Sequence, residues 1–122
     1  MKVLITGAAG RLGFAVTEIM VADGLAVTAT DAAPRAGLPV PLIVADLRQP
    51  ATARELVRGH DAVVHLANHP GFRRCGEEQG FTDNLALNVN IAEACVVEKV
   101  PTLIWASSVQ VVGSGPEAQG AT

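Results

Sequence analysis

Hydrophobic positions along the chain alternate between two kinds of segment. Short runs rich in β-branched residues are separated by longer stretches in which apolar residues recur at helical spacing. That alternation is the pattern of βαβ units and a parallel sheet. Lys2 to Thr6 reads as the first strand. A helix follows from Leu12 to Ala22, with Leu12, Val16, Ile19 and Met20 predicted on one inward face and Asp23-Gly24 as its stop. Ala26 to Thr30 is a second strand, the stretch Ala32 to Pro41 with three prolines and a glycine is a loop, and Leu42 to Ala45 is a short third strand. Pro50 suits the first turn of a helix reaching about Arg58, which Gly59 ends. Ala62 to Ala67 is an almost wholly apolar fourth strand, of the kind buried on both faces.

Asn68 to Gly80 carries glycines, Pro70 and the pair Arg73-Arg74, and reads as a polar loop beside the sheet's carboxyl edge. From about Phe81 to Lys99, the spacing Phe81, Leu85, Val89, Ala92, Val96 fits one helix face, and Leu87, Ile91 and Cys95 widen the stripe, which predicts burial on more than one side. Pro101 marks the exit, Thr102 to Ala106 is a fifth strand, and the small, polar residues 114–122 form a mobile tail after a domain spanning 1–113. Five strands with right-handed crossovers predict an α/β, doubly wound parallel sheet in the order 3-2-1-4-5. Its ligand crevice lies at the carboxyl ends, near the switch between strands 1 and 4.

At 122 residues the chain is one domain, and 49% hydrophobic content excludes a disordered or fibrous polymer. Nine Lys and Arg against twelve Asp and Glu give a net charge of −3 with no basic block, so neither nucleic acid nor a membrane surface is an expected partner. The opening apolar run breaks at Gly7, too early for a signal-peptide core, which predicts a cytoplasmic protein. Cys75 and Cys95 are too few for a disulfide framework and lack metal-ligand spacing. His65 and His69 find no third ligand at suitable spacing, so no metal site is expected. His65 reads instead as a packed polar residue at the ligand edge, and His60 as a surface or capping residue. The chain has no Tyr, which excludes chemistry here that needs a phenol.

Against that edge, the first strand runs into Thr6-Gly7-Ala8-Ala9-Gly10-Arg11-Leu12-Gly13 and then a helix. Gly7 permits the tight turn, Gly10 lets backbone amides approach a pyrophosphate, Gly13 permits close helix–strand packing, and the helix N-terminus favours the anion. Strand before and helix after make this a Rossmann-type dinucleotide site rather than a bare turn. Asp31 ends the second strand about 20 residues beyond the glycines, where a carboxylate accepts hydrogen bonds from the adenosine ribose. It favours NAD over NADP, whose extra phosphate it repels, although Arg35 in the next loop offers that phosphate a partner. Asp46 is open between two readings, a partner for the adenine amine and an N-cap or turn residue ahead of Pro50. Ser107-Ser108 at the end of the fifth strand either orient a substrate carbonyl or hydroxyl or simply cap the strand.

Together these motifs resemble the N-terminal part of the extended short-chain dehydrogenase/reductases, the NAD-dependent epimerase/dehydratase family, over nearly the whole chain. The marks are the glycine loop from Thr6 to Gly13 (including Ala9, Arg11 and Leu12), Asp31, Asp46-Leu47, and His65-Leu66-Ala67 closing the fourth strand. The resemblance implies an NAD site in which Asp46 and Leu47 meet the adenine, and it adds Leu66, Ala67 and Asn68 to the cofactor residues. Asn84 to Ile91 resembles the family's NVxGTxNLL helix, which makes Asn84 the active-site asparagine, and Ser108 matches the catalytic serine or threonine. The opening and the fifth-strand segment also resemble uronate dehydrogenases. Such enzymes act on a sugar-like hydroxyl or carbonyl and move the proton with a Tyr activated by a Lys four residues on. Here Val111-Val112-Gly113 replaces the family's Val-Tyr-Gly, Leu87-Asn88 replaces Gly-Thr, and YxxxK is absent. The expectation is a fragment that stops before its acid–base pair, inactive alone. The competing expectation is a noncatalytic dinucleotide-binding sensor. An uncovered fifth strand and an underpacked long helix further predict aggregation or homo-oligomerisation.

Overall fold

The computed structural model describes residues 1–67 and 77–105, with side chains described for 1–67 and 82–105. Its elements run β1 (Lys2–Thr6), α1 (Arg11–Ala22), β2 (Ala26–Asp31), β3 (Leu42–Val44), α2 (Pro50–Val57), β4 (Ala62–His65), α3 (Glu77–Val97) and β5 (Thr102–Trp105). All strand pairs are parallel, in the order β3-β2-β1-β4-β5. This is the predicted Rossmann-like sheet, with the switch point between β1 and β4 at its centre, reached by the crossover from β3 to β4. At the carboxyl edge one row of aligned residues crosses the whole sheet: Ile43, Thr30, Thr6, His65 and Trp105.

Strand alternation divides the core into two layers. Leu4 and Val63 face one side, where α2 and α3 contribute Ala53, Val57, Leu87, Ile91, Ala94 and Cys95. Val3, Ile5, Ala29, Ala62 and Val64 face the other, against Val16 and Met20 of α1. Each fully buried aliphatic side chain here stabilises the fold by about 1.5–3 kcal/mol relative to exposure. Because β1 and β4 lie in the middle, they bury residues on both faces, as the apolar run of β4 predicted.

Two predicted helix faces are corrected. In α1 the buried residues are Gly13 and Thr17, flanked by Val16 and Met20, while Leu12 and Ile19 are exposed. Close approach decides this: a Cβ on Gly13 would sit 2.0 Å from the Gly7 carbonyl oxygen, so the helix is seated on its smallest residue rather than its largest. In α3 the inward face is Asp83, Leu87, Ile91, Ala94 and Cys95, whereas Leu85, Val89 and Val96 of the predicted stripe are exposed, Val96 at 78%. The helix carries apolar residues on roughly opposite sides, and packing against α2 selects one of them.

Smaller differences concern boundaries. The helix begins at Glu77, so the last residues of the predicted 68–80 loop are helical. The fourth strand ends at His65 rather than Ala67: the Leu66 amide is shared between the Thr6 carbonyl at 3.3 Å and the Thr6 hydroxyl, and the Ala67 amide turns to that hydroxyl, described below. The third strand ends at Val44 and the fifth is described to Trp105. The rest of the 68–80 loop, Cys75, the Val111-Val112-Gly113 segment and the 114–122 tail lie outside the described residues. Helix stops fall where predicted, with positive φ at Gly24 (84°) and Gly59 (80°). Of the two readings of His60, the capping one fits: the half-buried ring has Nδ1 3.3 Å from the carbonyl of Val57, the last residue of α2, and its Nε2 lies 3.0 Å from the Thr28 hydroxyl.

Candidate cofactor site

The chain leaves β1 through a turn that its neighbours force to be glycine. Gly7 adopts φ 71°, and a Cβ there would lie 2.6 Å from the Leu66 carbonyl carbon and 2.7 Å from the Ala67 nitrogen. At Gly7 the β1 and β4 exits therefore meet backbone to backbone. Gly10 then serves as N-cap of α1, with φ −76° and no side-chain hydrogen bond capping the helix. The first-turn amides that follow, at Arg11 and Leu12, precede the intrahelical ladder, and no acidic side chain occupies that turn.

Gly10 tests whether a dinucleotide fits. Its φ suits any residue, and the nearest protein atom to an added Cβ is the Gly7 oxygen at 3.4 Å. The fold alone does not demand glycine here. A cradle whose amides must approach a pyrophosphate does, since a Cβ would stand in it. The residues present fit the group.

Asp31 lies at the end of β2 and grips the same loop. One carboxylate oxygen accepts the Ala9 amide at 2.9 Å, and the other accepts the Ala33 amide at 3.1 Å. The predicted ribose acid is thus held at the mouth of the glycine turn. Arg35 donates to the Ala9 carbonyl at 2.9 Å and stacks its guanidinium 3.9 Å from the centre of the Phe14 ring, so a cation also borders this mouth.

Asp46 and Leu47 stand beyond β3. Of the two local readings for Asp46, the N-cap is not realised: Gln49 caps α2, while Asp46 accepts the Arg48 amide at 2.9 Å and two-point contact from the Arg48 guanidinium. That hydrogen bond, with the attraction behind it, raises the Arg48 pKa above its ordinary value. Arg48 also reaches Asp83 of α3 at 3.6 Å. Leu47 sends its side chain into the core, and its carbonyl accepts from the Asn90 side chain (Nδ2) at 2.9 Å, so it offers a ligand only backbone.

At the centre of the edge, Thr6 and His65 are both buried. The Thr6 hydroxyl oxygen accepts the amides of Leu66 at 3.0 Å and Ala67 at 3.1 Å and lies 2.7 Å from His65 Nδ1. His65 Nε2 lies 3.0 Å from Asn88 Oδ1 on α3, and the ring meets Trp105 edge-on with centroids 5.7 Å apart. Burial lowers the His65 pKa from its ordinary value, the Asn88 contact opposing. Sequence reading placed His65 correctly but assigned nothing to Thr6, Asn88 or Asn90. For the two asparagines the advance signal was the density of Asn along the helix.

Asn84 lies one helical turn before Asn88, on the element that packs against this edge. Asn68 and Ser108 lie outside the described residues. Buried Cys95 has its pKa raised by desolvation, consistent with an inert thiol. Among the described residues no group of three His, Cys, Asp or Glu side chains could hold a metal ion, and no helix is long and apolar enough to cross a membrane.

The family model for the NAD dependent epimerase/dehydratase family matches residues 3–122. The chain belongs to this family. Short-chain dehydrogenase/reductase family 42E member 1 of Danio rerio is 34% identical over 119 residues, covering 93% of this chain and 31% of that protein. Uronate dehydrogenase of Pseudomonas putida is 31% identical, covering 92% of this chain and 42% of its own length. The structure of Thermus thermophilus UDP-glucose 4-epimerase, in complex with NAD, superposes with a TM-score of 0.76 at 30% identity, over 89% of this chain and 38% of the epimerase. The chain therefore spans well under half the length of these family members.

Proposed function

We propose that this chain is the NAD-binding part of a family dehydrogenase or epimerase/dehydratase acting on a sugar-like hydroxyl or carbonyl substrate. The observation that carries the reading is the Gly10 cradle joined to Asp31: a position left glycine although a Cβ would meet the protein only at ordinary contact distance, beside a carboxylate fixed to the same turn. In this reading the turn from Gly7 through Ala9, Gly10, Arg11, Leu12 and Gly13 holds the pyrophosphate, and Asp31 accepts the ribose hydroxyls. Asp46 and the backbone of Leu47 border the adenine, and Leu66, Ala67 and Asn68 line the inner end. Bound there, a nicotinamide supplies hydride acceptance and return.

The chain's own residues orient the reactants. Asn84 and Ser108 hold the reacting oxygen or its neighbours by hydrogen bonds. The proton is moved by a group outside these 122 residues, which contain no Tyr. Uronate dehydrogenase and UDP-glucose 4-epimerase among the similar proteins support a sugar or sugar-nucleotide substrate, and soluble cytoplasmic action and self-association belong to the same proposal. A noncatalytic dinucleotide sensor would use the identical cradle, and the missing Tyr is the observation in its favour.

Calorimetric titration with NAD, NADH and NADPH tests the site. NAD is expected to bind, and Asp31→Ala to weaken it by about 1.5–3 kcal/mol, the range for hydrogen bonds to a charged group. The same substitution shifts selectivity toward NADPH by removing a repelling charge. Failure of all three nucleotides to bind overturns the reading. Turnover by this chain alone would overturn the external proton donor.

A further inference from the structure

The buried contact chain across the carboxyl edge has only one consistent arrangement of protons. The Thr6 hydroxyl has one hydrogen and two lone pairs. Both lone pairs are taken, because the Leu66 and Ala67 amides can only donate, and the Leu66 amide, shared with the Thr6 carbonyl at 3.3 Å, lies nearer the hydroxyl at 3.0 Å. Its hydrogen must therefore go to His65 Nδ1, at 2.7 Å. With Nδ1 accepting, the neutral ring carries its proton on Nε2, which donates to Asn88 Oδ1 at 3.0 Å. Every link then has one donor and one acceptor, and no buried side-chain polar atom among the described residues is left without a partner.

This chain joins three elements that the proposed cofactor site needs in fixed relation. Thr6 directly precedes Gly7, Leu66 and Ala67 form the β4 exit against which Gly7 packs, and Asn88 lies one turn from Asn84 on α3. We infer that His65, held as the Nε2–H tautomer, is a positioning residue that locks the glycine turn, the β4 exit and the Asn84 helix into one unit before any cofactor arrives. The inference rests on the dinucleotide reading for its purpose, though the lock itself is testable without NAD. The His65 ring is almost fully buried, with Trp105 edge-on against it, and low water access keeps its hydrogen bonds strong.

Nitrogen-15 imidazole spectra of the chain without ligand read the tautomer directly. The expected result is a proton on Nε2, and a proton on Nδ1 overturns the inference. Amide hydrogen exchange supplies the second readout. His65→Phe and, more mildly, Asn88→Ala should speed exchange at Leu66 and Ala67 at least tenfold while leaving β2–β3 amides unchanged. Unchanged exchange at Leu66 and Ala67 in both variants overturns the lock. Asn88 is only partly buried, so its variant keeps the test alive if His65→Phe does not fold. NAD titration of the same proteins separates purpose from lock. A wild type that binds NAD and variants that bind it tenfold more weakly support the positioning role, whereas equal affinities overturn it. A wild type that binds no NAD sinks the dinucleotide reading, and the tautomer and exchange data still decide the lock.

Discussion

The β1–α1 turn and helix α3 both carry strong sequence signals, yet only one of them is specified locally. In the turn, Gly7 and Gly13 have single permissible identities because backbone atoms of neighbouring segments lie within 3 Å of where a Cβ would be. In α3, apolar residues occur on opposite sides, and the side that faces the sheet is chosen by partners distant in sequence: Arg48 on Asp83, Leu47 on Asn90 and His65 on Asn88. Steric exclusion writes itself into residue identity, whereas a choice between two acceptable faces does not.

The glycines offer the largest way to break this comparison. Gly13→Ala places a methyl 2.0 Å from a backbone oxygen with no flexible neighbour to yield, so a loss of about 3 kcal/mol or more is expected in chemical denaturation. Gly10→Ala meets nothing closer than 3.4 Å. Its stability should stay within about 0.5 kcal/mol of wild type while NAD affinity falls at least tenfold. Equal stability loss in the two variants would show that Gly10, too, is a folding requirement.

Helix α3 supplies the next contrast. Ile91 is fully buried and Val96 is 78% exposed. Ile91→Ala is expected to cost about 2–5 kcal/mol and Val96→Ala to change stability by no more than about 0.5 kcal/mol. Comparable losses would mean that the outer stripe is covered in solution. The exposed Leu85, Val89, Ile104 and Trp105 make the same question one of self-association, measurable by sedimentation.

The smallest expected effect is the acid response of His65, where the two regions meet. Its folded pKa lies below its unfolded value of 6.5, so the fold favours the neutral ring. That contribution is fully present above the unfolded value and is lost as pH falls from there through the folded one. Thr6, Asn88 and Trp105, which face the ring, carry no charge to offset this. Denaturation midpoints should fall between pH 7 and 5 more steeply in wild type than in His65→Phe, and parallel slopes would contradict a buried neutral ring.

Much of the fold was legible because its signals are local. Strand runs, the Asp23-Gly24 and Gly59 stops and the Pro50 start each depend on residues within a few positions of one another, and the sheet order followed from their alternation. The glycine turn and Asp31 were legible because a tight turn and a strand-end acid leave few residue choices. The failures share a different cause. Leu12 and Ile19 look inward to any hydropathy count, but α1 approaches the sheet so closely that its small residues face in. The Thr6–His65–Asn88 chain joins positions 59 and 23 residues apart, a pairing that no local pattern encodes.

What the sequence determined by itself is therefore a glycine-loop, parallel-sheet topology and the identity of the residues at its tightest points, since those are set by covalent geometry and excluded volume. Only the tertiary structure decided which face of each helix is buried, where Asp46 and Leu47 direct their polar atoms, and which ring nitrogen of His65 holds the proton. Those outcomes depend on hydrogen-bond partners and packing surfaces that come together only when the sheet is assembled.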